Sequence, residues 1–441
     1  MASPSSQKIG LWTLVTLVTG NLVGSGVFML PATLAAFGSL CIGGWIATSI
    51  GAILLSFVFA ALSARRPKTG GPHTYVEDAF GKTVGFYVAW GYWVLSWVSN
   101  AALVVGAIGY TSSIFGGLSP LITFVLEVGL IVIIAAINLY GLQLAGRFEF
   151  IITVLKLIPL VVVPIIAMFY VKVENFIPFN GSRLSDFSAI NATALLTLWA
   201  FIGLETGTVP GTDVENPKKN IPRAILIGTL IAAFVYIIGT IAIMGVVPRV
   251  DLLQSKAPYA DLAAILFGGY WGVPVAIVAA ICCVGALNGW TMVVGRIALG
   301  AANDGLFPPV FKGTTKSGAP LWGIIISSLC SIPFVALSMS ESLLQQFNFI
   351  IEFSLTLVLV IYLSCIAAYF TILKRDHKLN LKSVLIGGLS LVFSLWTLWG
   401  ASHVMLMWSF IILIAGVPVW LWQNREKKNT ATVNDGYIHI S

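Results

Sequence analysis

Apolar runs of roughly 20 residues recur along this chain, and that recurrence constrains its fold more than any other feature. Twenty helical residues rise about 30 Å, the thickness of a bilayer's hydrocarbon core. Such runs occupy residues 11–36, 42–63, 84–114, 121–142, 148–170, 189–212, 222–247, 271–302, 321–339, 345–373, 383–403 and 405–423 of the 441. Over its full length the chain is 58% hydrophobic and only 9% charged. Backbone polar groups in hydrocarbon must be satisfied within the segment, so the expected fold is an all-α integral membrane protein of about twelve transmembrane helices. Residues 1–424 read as one transmembrane domain and 425–441 as a short polar tail. No soluble segment long enough to house a separate enzyme interrupts the spans.

The net charge of +7 at first suggests an anionic partner. Its distribution points instead to topology. Of the 24 Lys and Arg, 18 fall in one set of alternating loops and the tail: Lys8, Arg65, Arg66, Lys68, Lys82, Arg147, Lys218, Lys219, Arg223, Lys312, Lys316, Lys374, Arg375, Lys378, Lys382, Arg425, Lys427 and Lys428. The other loops hold Lys172, Arg183, Arg249 and Lys256. By the positive-inside rule both termini are expected in the cytoplasm, and nucleic acid is not the implied partner. The N-terminus, MASPSSQKIG, lacks the charged region and cleavage site of a signal peptide, so the first span is expected to remain. The five cysteines lie in or beside apolar runs and read as small buried hydrophobes, with no disulfide or zinc spacing.

Two spans are poorly built as helices. The first contains GNLVGSGVFMLP, residues 20–31, and the sixth TLWAFIGLETGT, residues 197–208. They hold corresponding places in two sets of five spans, about 11–170 and 189–373, with two further helices at 383–423. Spans three and eight are both overlong. Interrupted segments at matching positions of two halves are the mark of an inverted-repeat transporter with its site near the midplane. The N-terminus of a half-helix near Ser25 and Gly26 offers free N–H groups and the positive dipole end to a carboxylate. Taken alone, Gly20-xxx-Gly24 equally fits a close-packing template.

Longer motifs carry a resemblance. The GSG of span one, PKTGGPHTYVEDAFG at 67–81, ENPKKNIPRA at 215–224 and ANDGLFPPVFKGTTKSGAP at 302–320 together resemble the amino acid–polyamine–organocation superfamily. Within it the chain is similar to the bacterial arginine/agmatine antiporters of the basic amino acid/polyamine antiporter family, through Leu198 to Glu205, Gly289-Trp290 and Asp304 to Pro309. The resemblance covers essentially the whole chain. It implies a five-plus-five fold with discontinuous helices one and six, in a bacterial inner membrane. It also implies exchange of external arginine for internal agmatine, in functional pairing with an arginine decarboxylase. A homodimer is compatible with it, and no cofactor or metal is implied.

The same resemblance assigns residues. Ser25 and Gly26 hold the substrate carboxylate; Asn21 lies beside the break; carbonyls of Leu22, Trp199 and Ile202 face the α-amino group. Trp290 stacks on the guanidinium, a contact worth roughly 0.5–2 kcal/mol. Ser96, Asn100 and Ser354 complete the pocket. Trp199 closes over the substrate, and Tyr92, Glu205 and Tyr362 form an outer gate. Read without the resemblance, the aromatics among 14 tryptophans fit interfacial or packing roles, and Asn100 and Ser354 fit interhelical hydrogen bonds.

Ionisable residues inside spans are functional candidates by default. Glu205 follows the second break and is the foremost. Glu127 and Glu149 read as span-end groups, and Arg296 as a helix-end anchor. Lys156 departs from the arginine/agmatine pattern and has two readings, a proton-coupling group or a counter-charge for Glu205 or Glu352. The first favours a proton-coupled amino-acid importer. Exchange of lysine for cadaverine or ornithine for putrescine is a further alternative. His73 stands where the antiporters have a gating tyrosine, and reads as a pH sensor or a plain loop histidine. An enzyme is disfavoured by four scattered histidines without an HExxH motif, and a channel by the lack of a repeated filter.

Overall fold

A computed structural model describes residues 9–68, 70–140, 142–209, 214–339 and 343–423, with the side chains of Ser25, 142–150, Leu337, Ser338 and Leu343 outside the description. The described chain is helical: α1 (Leu11–Leu22), α2 (Ser25–Leu34), α3 (Cys41–Arg65), α4 (Pro72–Phe80), α5 (Lys82–Ile114), α6 (Pro120–Tyr140), α7 (Leu142–Ala167) and α8 (Asp186–Leu198) form the first part. Then follow α9 (Pro217–Val246), α10 (Arg249–Leu252), α11 (Pro258–Phe267), α12 (Gly272–Asn303), α13 (Leu321–Val335), α14 (Leu343–Arg375), α15 (Leu381–Trp399) and α16 (His403–Ala415). Ten described stretches are long and apolar enough to cross a membrane. All twelve expected runs are nonetheless helical over most of their described residues. The runs at 11–36 and 42–63 lie within one stretch, Leu11–Arg65, and α13 has only 15 residues. The tail at 425–441 lies outside the described residues.

Helix ends follow local chemistry. Pro72 opens α4 at a position that needs no N–H, and Gly81, at φ 84°, ends it. Ser185 and Ser402 cap α8 and α16, and Asn380 with Ser383 forms a reciprocal cap on α15. The two longest helices, α5 and α14, have 33 residues each, about 50 Å of rise, and α12 has 32; all must tilt to fit a hydrocarbon core. Helix α5 packs along α12 and α14, while α3 packs on α9 and α8. α1 and α2 are enclosed between these groups, and Leu14, Val18, Leu22 and Phe28 are buried. The outer faces of α6 and α15 instead expose Leu121, Val125, Val132, Leu381, Leu385 and Leu389, as a surface in contact with lipid requires.

At one end of the bundle four charged side chains tie three helix ends together. Arg66 Nε donates to Asp78 Oδ2 at 2.9 Å and Arg66 Nη2 to Asp376 Oδ1 at 3.1 Å, while Arg375 pairs with Asp78. Burial works against ionisation of Asp78, but the Arg375 and Arg66 guanidiniums outweigh it and hold the carboxyl below its ordinary range.

Candidate functional site

The first break is where GNLVGSG predicts it. α1 ends at Leu22 and α2 begins at Ser25. The last four carbonyls of a helix need outside partners, and here each has one. Thr19 O accepts from Val23 N at 2.9 Å and Leu22 O from Gly24 N at 2.9 Å. Gly20 O accepts from Lys156 Nζ at 2.7 Å, and Asn21 O from the Trp290 indole Nε1 at 3.2 Å. The other side of the break differs. The N-cap of α2 is Gly24, which has no side chain to cap with, so the first N–H groups of the helix open on the gap with the helix dipole behind them. Gly26 permits close approach: a Cβ there meets Trp199 Cδ1 at 3.0 Å and the Ala200 backbone at 3.3 Å.

The second break is tighter. α8 passes into a 3₁₀ turn at Trp199–Phe201, then Ile202 turns extended and Gly203 adopts φ 113°, before a second 3₁₀ turn at Leu204–Thr208. Only glycine takes that φ without strain, and a Cβ there would also stand 3.0 Å from the Trp290 ring. Thr206 joins the two breaks. Its Oγ1 donates to Gly203 O at 2.5 Å and accepts from Asn21 Nδ2 at 3.1 Å. Sequence reasoning missed this residue, although a threonine beside a helix break at membrane depth is a signal of that kind.

Between the breaks lies a cavity of about 20 Å³, lined by Asn21, Leu22, Gly24, Gly26, Ser99, Leu103, Trp199, Ile202 and Trp290. That volume holds about one water, so this is a closed state. Six expected residues meet here: Asn21, Leu22, Gly26, Trp199, Ile202 and Trp290. The Ser25 backbone begins α2 beside them, while its side chain lies outside the described residues. Asn100 and Ser354 are buried nearby on α5 and α14, each with an unpartnered side-chain oxygen, but neither lines the closed cavity. Ser96 does not line it either, and its hydroxyl donates to Tyr92 O at 2.6 Å within α5. Ser99 and Leu103, one turn apart on α5, line it unforeseen. The sequence offers Ser96, Ser99 and Asn100 within five residues, and only the helix phase separates them.

Next to the cavity, Glu205 is fully buried and its two oxygens are shared. Oε1 accepts from the Tyr92 hydroxyl at 2.8 Å, and Oε2 from Tyr362 at 2.7 Å and from Gly203 N at 3.2 Å. The three expected gate residues are thus in contact, joining α5, the second break and α14. Trp199 lines the cavity, its ring edge-on to Phe347 at 6.3 Å.

Lys156 is buried, and its ammonium goes to Gly20 O rather than to Glu205 or Glu352. His73 is no loop residue: it is buried on α4, with Nε2 3.3 Å from Asp304 Oδ2. One turn on, burial and the Asp304 charge raise Glu77 above its ordinary range. Glu127 is buried within α6, not at a span end, and the Glu149 side chain lies outside the description. Arg296 sits two turns inside the end of α12, and Glu352 is half-buried on α14. Among the described residues no cluster of His, Cys, Asp and Glu has the makings of a metal site.

Comparison with known proteins matches residues 9–433 to the amino acid permease family. The putrescine transporter PotE of Haemophilus influenzae is 31% identical over 419 residues, covering 94% of this chain and 96% of that protein. The PotE of Escherichia coli is 30% identical over 421 residues, with the same coverage. The cadaverine/lysine antiporter of Escherichia coli is 32% identical over 448 residues, covering 98% of each chain.

Proposed function

Because the chain belongs to the amino acid permease family, we propose that the cavity between its two interrupted helices is the substrate site of an alternating-access exchanger. The protein is a multi-pass bacterial membrane transporter, not an enzyme, and belongs among the basic amino acid/polyamine antiporters. One observation carries the assignment of the site. Two helix breaks meet at one cavity that combines uncapped α2 donors with two tryptophans and neutral acceptors, and no carboxylate lines it. The donors suit a carboxylate; the indole faces and amide oxygen suit a cation.

Our first reading of the substrates is external arginine for internal agmatine, and the Trp290 indole in the lining supports it as a platform for a planar guanidinium. In that reading a cytosolic decarboxylase removes the carboxylate that the α2 donors bind. Exchange of lysine for cadaverine, or of ornithine for putrescine, is supported about equally by the relatives, one named for cadaverine and lysine and others for putrescine. The basic residues on one set of loops support cytoplasmic termini, and the matched breaks support two inverted repeats at about 11–170 and 189–373. The alternative of a proton-coupled amino-acid importer rests on Lys156, a buried lysine beside the first break.

A counterflow assay tests these readings. Proteoliposomes loaded with agmatine, cadaverine, putrescine or nothing are offered labelled arginine, lysine or ornithine. Uptake of arginine driven only by internal agmatine supports the first reading; a preference for internal cadaverine or putrescine replaces it. Uptake into empty vesicles under an imposed proton gradient identifies an importer.

A further inference from the structure

We infer that Ser99 contacts the substrate and sets specificity, its hydroxyl accepting a hydrogen bond from the terminal N–H of a basic amino acid or of the derived amine. The inference rests on the cavity being the substrate site. Ser99 lines that cavity, is 4% exposed, and its Oγ has no hydrogen-bond partner in the protein. Buried hydroxyls in helices ordinarily bond back to a carbonyl one turn earlier. Buried Ser96 does so on this same helix, to Tyr92 O, as do the less buried Thr111 and Ser113, to Ala107 O and Tyr110 O. Ser99 does not. A buried polar atom without a partner calls for one, and the cavity is where that partner sits.

The chemistry of the lining selects the partner. Besides Ser99, the lining offers an orphan acceptor, Asn21 Oδ1, and two indoles, with no side-chain carboxylate. A cation entering this space is therefore held by neutral acceptors and ring faces, which suits an ammonium or guanidinium that brings its own N–H donors. Position agrees. Leu103, one turn along α5, packs beside Gly24 at the first break, where a Cβ would meet its Cδ2 at 3.0 Å. Ser99 lies about 6 Å further along the helix axis from that level, a displacement suited to a side-chain head group when the carboxylate is anchored on α2.

Two isosteric variants isolate the hydroxyl. Binding of arginine, agmatine, lysine, cadaverine and putrescine is measured on the purified full chain in nanodiscs for wild type, Ser99→Thr, Ser99→Val and Ser99→Ala. Ser99→Val should bind the preferred cation about tenfold or more weaker than Ser99→Thr, as loss of a hydrogen bond to a charged group implies. Equal affinities of those two variants overturn the inference. If the added methyl abolishes binding in both, Ser99→Ala decides: about tenfold weakening supports the hydroxyl contact, and wild-type affinity refutes it. A wild-type protein that binds none of the five ligands removes the proposed function itself, whereas wild-type binding with an unaffected Ser99→Ala removes only the role of Ser99.

Discussion

Tyr362→Phe tests the gate with the smallest possible change, because it deletes one hydroxyl and keeps the ring packed edge-on against Phe59. In the closed state that hydroxyl donates to Glu205 Oε2 at 2.7 Å, and Tyr92 holds Oε1 at 2.8 Å. A hydrogen bond to a carboxylate contributes about 1.5–3 kcal/mol, and one to a neutral carboxyl about 0.5–1.5 kcal/mol. If opening parts Tyr362 from Glu205, the variant shifts the closed–open equilibrium roughly 10- to 150-fold when Glu205 is ionised and about 2- to 10-fold when it is protonated. Cys365 is a native reporter: it is buried one turn along α14 and its Sγ faces Pro72 O at 3.8 Å. We predict faster alkylation of Cys365 by a membrane-impermeant maleimide in Tyr362→Phe vesicles, read peptide by peptide because Cys330 is already partly exposed. Repeating the labelling across pH then shows which of the two ranges applies. An unchanged Cys365 rate together with unchanged counterflow would refute the gate.

Trp290→Leu removes both the aromatic face and the indole donor to Asn21 O, so affinity for the cationic substrates should fall between about 2- and 30-fold; retained affinity dismisses the cation–π contact. Lys156→Ala leaves the buried Gly20 carbonyl without its donor, at a cost of about 1–3 kcal/mol, and should lower thermal stability and alter the pH dependence of exchange. If stability alone changes, Lys156 is a structural brace. Asp78 has a folded pKa below its unfolded value, so its contribution to stability is present above the ordinary carboxylate range and is lost as pH falls through the folded value. Thermal melts should therefore show Asp78→Asn destabilised at pH 7 by about 0.5–1 kcal/mol per lost arginine pair, with the difference vanishing in strong acid. A difference that persists there argues against the ion pairs as its source.

Much of this arrangement was legible in the sequence because hydrocarbon leaves a chain few options. Twelve apolar runs of spanning length point to helices, and the glycine, asparagine and threonine at two matched places favour breaks over close packing because they recur in both halves. What stayed hidden depends on helix phase and tertiary approach. Ser96 and Ser99 are indistinguishable in sequence, yet one bonds back to Tyr92 O and the other lines the cavity. His73 sits in a stretch with two glycines and a proline that reads as a loop, but Pro72 starts a helix and burial follows from packing on α5 and α14. The Lys156 ammonium meets a helix-end carbonyl, and no spacing rule reveals a partner 136 positions away.

The two sides of the first break are filled unequally, and that asymmetry bears on how an exchanger would treat its two substrates. Carbonyls at the end of α1 are satisfied by Lys156, Trp290 and local amides, whereas the N-cap of α2 is Gly24, which offers its opening N–H groups no side-chain cap. What the break lacks is therefore an anion. An amino acid supplies one, and each charge-assisted hydrogen bond it forms adds about 1.5–3 kcal/mol. A decarboxylated amine cannot, and must bind through the indoles and neutral oxygens at the other end of the cavity. In the proposed reading the site thus holds amino acid and amine by one shared contact set and distinguishes them by another. Binding of the amine leaves α2 uncapped, so its hold on that half-helix is weaker. The same break that makes the helix costly in lipid then supplies a contact that the amino acid makes and the amine does not.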